Sequence, residues 1–228
     1  MSLDYDEIGS YREGRLAVKR NGMWGFVDHN GLEVIPCRFR MVENFSEGLA
    51  AVKLGRHWGY IDKQGNVELP FAYIRAGNFK NGMAWIYEGG QYGFIDTGGN
   101  WLLEPSYDKA HDFEHGIARV IIDGKYGLIN QSGDWICRPR FNVMYPFDSN
   151  GLARVCLGGD KVQFGVVNRT GNLITQQGYV EVRDFHEGLA AVKDRRGYGF
   201  INSRGKLVVP MIYNSVSDFS NGWAAVQR

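Results

Sequence analysis

Apolar residues in this chain alternate with small or polar ones over short runs, and the same run returns at a nearly fixed interval. Each run opens on a glycine: Gly14, Gly48, Gly82, Gly116, Gly151, Gly188 or Gly222. The second residue after it is Leu16, Ala50, Ala84, Ala118, Ala153, Ala190 or Ala224. The fourth is Val18, Val52, Ile86, Val120, Val155, Val192 or Val226. Two apolar positions spaced by two share one face of a strand. Successive glycines lie 34, 34, 34, 35, 37 and 34 residues apart. A period in this range marks a repeat architecture, in which one supersecondary unit stacks on the next.

A second strand follows in six copies. It carries an aromatic-glycine pair: Trp24-Gly25, Trp58-Gly59, Tyr92-Gly93, Tyr126-Gly127, Phe164-Gly165 and Tyr198-Gly199. Glycine is a poor strand residue, so its return here predicts a close approach by a backbone or a ring. The strand ends at Asp28, Asp62, Asp96, Asn130, Asn168 or Asn202, and a glycine follows three residues later. An Asx side chain that bonds its own turn, then glycine where φ is positive, predicts a tight turn. A short third strand follows and usually stops at proline: Pro36, Pro70, Pro105, Pro139 and Pro210. Copy five has Gln177 instead. Both strand faces are apolar in many copies, which predicts neighbours covering both sides. The six rings of the aromatic-glycine pairs are expected as stacked core, with a row of ligand shelves as the functional alternative.

The expectation for fold class is therefore all-β. Tandem repeats of about 34 residues, each of three short strands, stack as an open β-solenoid or superhelix. A six-bladed, propeller-like ring is the alternative. Residues 1–228 read as a single repeat domain of six repeats plus a C-terminal half-repeat, 213–228. That half-repeat duplicates the N-terminal piece and does not complement it, which favours the open form. Exposed end strands would give weak self-association.

The fullest statement of the unit is FSEGLAAVKLGRHWGYIDKQGNVELP, Phe45 to Pro70. This resembles the WG-repeat (KWG-repeat) family of bacterial proteins, from about residue 5 to the C-terminus. The resemblance implies a repeat module with no general biochemical activity attached to it.

Lys and Arg total 26 against 25 Asp and Glu, a formal net charge of +1. That balance gives no footprint for nucleic acid or a membrane surface. The three cysteines, Cys37, Cys137 and Cys156, fall at non-equivalent repeat positions and read as incidental. The N-terminus, MSLDYDEIGS, has no apolar run, and no stretch approaches a membrane helix. The expected location is cytoplasmic, or extracytoplasmic if a signal peptide has been removed.

Candidate chemistry is sparse. His111-Asp112-Phe113-Glu114-His115 spells H-x-x-E-H, but that zinc motif needs a helix. The segment fills a slot that reads NFSE, NFKN and DFHE in other copies. No nucleophile elbow and no phosphate-cradling loop occurs. No catalytic residue, metal site or cofactor is assigned.

Departures from the repeat are the more useful signal. The third residue after the opening glycine is Ala17, Ala51, Ala191 or Ala225 in four copies. In the middle copies it is Trp85, Arg119 and Arg154, and the third strands there carry Trp101 and Trp135. Copy five also lengthens the hairpin loop around Gly158–Asp160. Trp and Arg are enriched where partners dock, so these five residues form the candidate binding surface, with plain surface drift as the alternative. The expected function is a non-catalytic scaffold for a protein or small-ligand partner. The other reading is a carbohydrate or cell-wall-binding module, or an enzyme whose site forms only in three dimensions.

Overall fold

The computed structural model describes residues 5–158 and 162–228. The lengthened loop expected around Gly158–Asp160 therefore lies in part outside the described residues. Every regular element among them is a β-strand.

The described residues form two compact units: residues up to Val120 with Asn130–Gly133, and Ile121–Ile129 with Asp134–Arg228. The first contains three four-stranded sheets. These are β1 (Glu7–Arg12), β2 (Arg15–Arg20), β3 (Met23–Val27) and β4 (Glu33–Phe39); β5 (Met41–Val42), β6 (Ala50–Leu54), β7 (His57–Ile61) and β8 (Val67–Tyr73); and β9 (Arg75–Ala76), β10 (Ala84–Glu88), β11 (Gln91–Ile95) and β12 (Trp101–Tyr107). β13 (Lys109–Ala110) and most of β14 (Ile117–Ile122) also lie there. The second unit holds most of β15 (Lys125–Asn130), then β16 (Trp135–Phe141), β17 (Val143–Met144), β18 (Leu152–Cys156) and β19 (Phe164–Asn168). A sheet of β20 (Glu181–His186), β21 (Leu189–Asp194), β22 (Gly197–Asn202) and β23 (Leu207–Tyr213) follows, and then the pair β24 (Ser215–Val216) and β25 (Val226–Gln227).

Each repeat thus adds a strand to the three expected, a two-residue piece such as β5 or β9 in most copies and six residues long in β1 and β20. It pairs with the strand after the opening glycine, as Val42 does with Val52 and Ala76 with Ile86. Two residues are too short to show a period, so the pattern of apolar positions is silent there.

Within the first unit consecutive sheets stack face to face. Ala50, Val52 and Ile61 pack with Phe26, Ile35 and Phe39 of the preceding sheet. Ala51, Trp58, Tyr60 and Leu69 pack with Ala76, Ala84, Ile86 and Ile95 of the following one. This is why Ala50, Ala51 and Val52 are all buried. In the second unit β21 divides its faces likewise: Ala190 and Val192 meet Val166 and Leu152, while Ala191 meets Val216.

The deepest rings are not those of the aromatic-glycine pairs but the ones two residues on. Phe26, Tyr60, Phe94 and Phe200 are 0–1 % exposed. Each meets a phenylalanine of the next repeat at 4.8–4.9 Å: Phe45, Phe79, Phe113 and Phe219. The pair glycines have the close neighbour expected. A Cβ on Gly59 would lie 2.8 Å from the Leu69 carbonyl oxygen and 2.9 Å from the Phe71 ring. The third strand shifts register here, between Trp58↔Tyr73 and Tyr60↔Leu69, and its backbone bulges over the glycine. The Asx turns also form: Asp62 Oδ1 accepts from the Gln64 and Asn66 amides at 2.9 and 2.8 Å, and Gly65 has φ +88°.

Copy five breaks the pattern. β17–β18–β19 is a three-stranded sheet, and its third strand is reduced to the bridges Phe164↔Tyr179 and Val167↔Leu173. The hydroxyl of buried Thr175 accepts from the Val166 amide at 3.3 Å, a side chain standing in for a ladder carbonyl.

Candidate functional site

The short fourth strand sets up the site. Beyond it, one residue per repeat donates its amide across to the third residue after the opening glycine. Glu43 donates to Ala51, Gly77 to Trp85, His111 to Arg119 and Tyr145 to Arg154, at 2.8, 2.9, 3.0 and 3.0 Å. These donors recur every 34 residues. The cross-strand pair is the place where the copies differ in kind: acid–alanine, glycine–tryptophan, histidine–arginine, tyrosine–arginine.

In one copy the two members of the pair share a single space. A Cβ on Gly77 would lie far inside van der Waals contact with the Trp85 indole. Trp85 thus occupies the room that a side chain at residue 77 would need. Neighbouring side chains on one sheet face couple in this way.

Glu43 and the two following pairs, Gly77–Trp85 and His111–Arg119, line one recess of about 310 Å³ in the first unit. Its walls include Glu43, Asn78, Trp85, His111, Asp112 and Arg119. The Trp85 side chain approaches Asp112, and the Asn78 side chain approaches Glu43, each favouring the charged carboxylate. The Asn78 Oδ1 atom is buried with no hydrogen-bond partner. Burial pushes the Asp112 carboxyl above its ordinary range, against Trp85 and Lys80, which lower it. Burial also pushes Glu43 up, with Asn78 opposing. Burial, with Arg119 and Lys109 nearby, lowers the His111 imidazole to about 4. The recess therefore brings together acidic side chains, an imidazole that is neutral at pH 7, an indole and the Arg119 guanidinium.

Of the five residues singled out by sequence, Trp85 and Arg119 share this recess. Arg154 belongs to the second unit. Its guanidinium lies 4.3 Å over the Tyr145 ring, donates to the Val182 carbonyl at 3.2 Å and pairs with Asp184 at 2.9 Å. Arg183 repeats the arrangement on Val216 and Asp218, so Arg154 has a structural task between repeats. Trp101 and Trp135 lie over the glycines of their own sheets: a Cβ on Gly93 or Gly127 would come within 2.8 Å of the respective indole. They fill the space that Phe71 fills above Gly59. The exchange is paired with proline, which moves into the Phe71 position as Pro105 and Pro139.

Sequence reading passed over Glu43, Gly77 and Asn78, and took His111 and Asp112 only as a failed zinc motif. That segment is indeed no helix: Phe113 is buried against Phe94, and His115 sits in a turn at φ +53°. The signal available was the pairing itself, since residue 77 is glycine in the copy whose partner is tryptophan.

The fold and this row of variable pairs define an all-β tandem-repeat scaffold. The family model described as WG containing repeat matches residues 2–24, 24–56, 58–92, 92–126, 126–159, 164–195 and 198–228, and the chain belongs to that family. No curated protein matches it. Among solved structures, one described as a eukaryotic initiation factor is similar over 95 % of this chain and 68 % of its own, at 9 % identity and TM-score 0.57. Hsv2p of Kluyveromyces lactis is similar over 86 % of this chain and 75 % of its own, at 12 % identity and TM-score 0.50. A form of that protein with loop 6CD replaced by a Gly-Ser linker is similar over 99 % of this chain and 85 % of its own, at 10 % identity and TM-score 0.51. At such identities the likeness concerns the fold alone.

Proposed function

We propose that this protein is a non-catalytic binding module whose recess between Glu43 and Arg119 receives its partner. One observation carries the reading: residues of three successive copies of the variable cross-strand position, Glu43, Gly77 with Trp85, and His111 with Arg119, line a single recess. In repeat scaffolds the constant positions build the core, and the variable ones are free to recognise. The near-balance of 26 basic and 25 acidic residues supports a partner other than nucleic acid. Among the described residues no helix is long and apolar enough to cross a membrane. The free thiols of Cys37, Cys137 and Cys156 fit a reducing compartment such as the cytoplasm.

The test is a nuclear magnetic resonance titration of ¹⁵N-labelled protein with a panel of small probes: an amine, a carboxylate, a disaccharide and a neutral dipeptide. Probes that bind should move the Trp85 indole and the Gly77 and His111 amides before any others. If those resonances stay fixed while another surface responds, the recess is not the binding site. Response to the disaccharide alone would establish the carbohydrate-binding reading.

A further inference from the structure

Five asparagines in this chain are followed by glycine: Asn21, Asn30, Asn81, Asn150 and Asn221. Such a pair is reactive in water, because glycine has no side chain to hinder attack by its own amide nitrogen on the asparagine before it. The attack begins with loss of the amide proton, so whatever holds that proton protects the pair. An amide that donates to a carboxylate holds it firmly, since the charge and the hydrogen bond both favour the neutral form. Gly82 donates to Glu47 Oε2 and Gly222 to Glu187 Oε2, each at 2.8 Å. Gly31 donates to the Asp28 carbonyl at 3.1 Å, and Gly151 to the Asp148 carbonyl at 3.0 Å. The Gly22 amide alone of the five has no acceptor among the described residues.

The turns of Asn21, Asn81 and Asn221 make a controlled comparison. All three are exposed. Their asparagines lie at φ +52°, +53° and +54°, and their glycines at +76°, +75° and +80°. They differ in whether a glutamate of the preceding repeat takes the glycine amide. We infer that Asn21 is a site of spontaneous deamidation, and that Glu47 and Glu187 shield Asn81 and Asn221 from the same reaction. Hydroxide removes the Gly22 amide proton, and the nitrogen forms a bond to Asn21 Cγ. The Cγ–Nδ2 bond breaks, and that nitrogen takes a proton from water and leaves as ammonia. Water then opens the succinimide ring at either carbonyl, giving aspartate or its β-linked isomer. One water is consumed for each ammonia released, with no oxidant or reductant. Either product puts a carboxylate beside Arg20, which pairs with Glu33 at 3.1 Å. The β-linked product also adds a methylene to the backbone of a two-residue turn, which sets the Arg20↔Met23 pairing and has no slack for it.

Peptide mapping by mass spectrometry, on protein held for days in mildly alkaline buffer, measures the three rates. Asn21 is expected to convert at least about tenfold faster than Asn81 or Asn221, the effect of one unit in amide acidity. Glu47→Ala should speed conversion of Asn81 and leave Asn221 unchanged, and Glu187→Ala should do the reverse. Glu47→Gln, which keeps an acceptor without the charge, should give an intermediate rate at Asn81. Circular dichroism checks that each variant is folded. In urea, where the turns are lost, the three rates should converge. Equal rates in the folded protein, or rates at Asn81 and Asn221 that ignore the glutamates, would overturn the inference. So would a lead of Asn21 that persists in urea, because its cause would then be local sequence and not the missing acceptor.

Discussion

Gly77 and Trp85 act as one choice made at two positions. The cost of changing Gly77 should depend on whether the indole is present. Gly77→Ala forces a methyl into the indole and should cost about 1–3 kcal/mol, as overpacking does. In a Trp85→Ala background the same change should cost no more than ~0.5 kcal/mol, a coupling that a double-mutant cycle in urea reads directly. Additive costs would mean that the two residues do not share the space. Gly59 is a harsher case, because the Cβ would meet backbone at the Leu69 carbonyl. Gly59→Val should lose about 1–3 kcal/mol or more, and melting with the parent would place that strand against solvent. His111 makes an acid-side prediction. Its folded pKa of about 4 lies below the ordinary 6.5. The unfolded chain therefore takes up the proton first, and stability contributed above pH 6.5 is lost as pH falls toward 4. Glu43 and Asp112, shifted upward, act in the opposite sense, so the comparison must be with a variant. His111→Gln should lose less melting temperature than the parent between pH 7 and pH 5.

Among elements, the turn before each strand carries a device that its apolar pattern does not reveal. Glu13 accepts the amides of Glu47 and Gly48 at 2.9 and 3.0 Å, and Glu47 in turn accepts those of Asn81 and Gly82 at 2.7 and 2.8 Å. Glu187 does the same for Asn221 and Gly222. Each of these acids sits in the left-handed region, at φ +49° to +56°. The carboxylate of one repeat thus fills the paired amides of the next. Charge-assisted bonds of this kind are strong for their exposure. Glu47→Ala should cost about 1 kcal/mol, with Glu47→Gln intermediate. A change within error would show that water serves those amides equally well. Three glutamates placed one residue before the repeat glycine were visible in the sequence, but their partners lie a full repeat away and no local rule joins them. What was legible from the chain alone had a local cause: the period-two strands, the Asx turns of Asp62 and its equivalents, and the tight neighbour of Gly59. The recess was half legible. Trp85 and Arg119 stood out as departures from alanine, while Glu43 and Asn78 did not, because their meaning depends on which residue lies across the strand.

For the molecule as a whole, the chain is a tandem WG-repeat scaffold whose core is formed by successive sheets within each compact unit. Far-ultraviolet circular dichroism should show a β-dominated spectrum, and strong helical minima would contradict the architecture. Such a scaffold spends most residues on stacking. Trp101 and Trp135 cover glycines and Arg154 ties repeats together, so prominence in the sequence did not by itself mark a contact surface. The row of cross-strand pairs remains as the place where the scaffold is written differently from copy to copy. The most direct measurement of that claim is quantitative affinity capture from the native host with the parent and with the Glu43→Gln/Arg119→Gln double variant, each checked for melting temperature. The account predicts the same partner at no less than tenfold lower yield for the variant, with melting unchanged. Equal capture by the two folded proteins would contradict it.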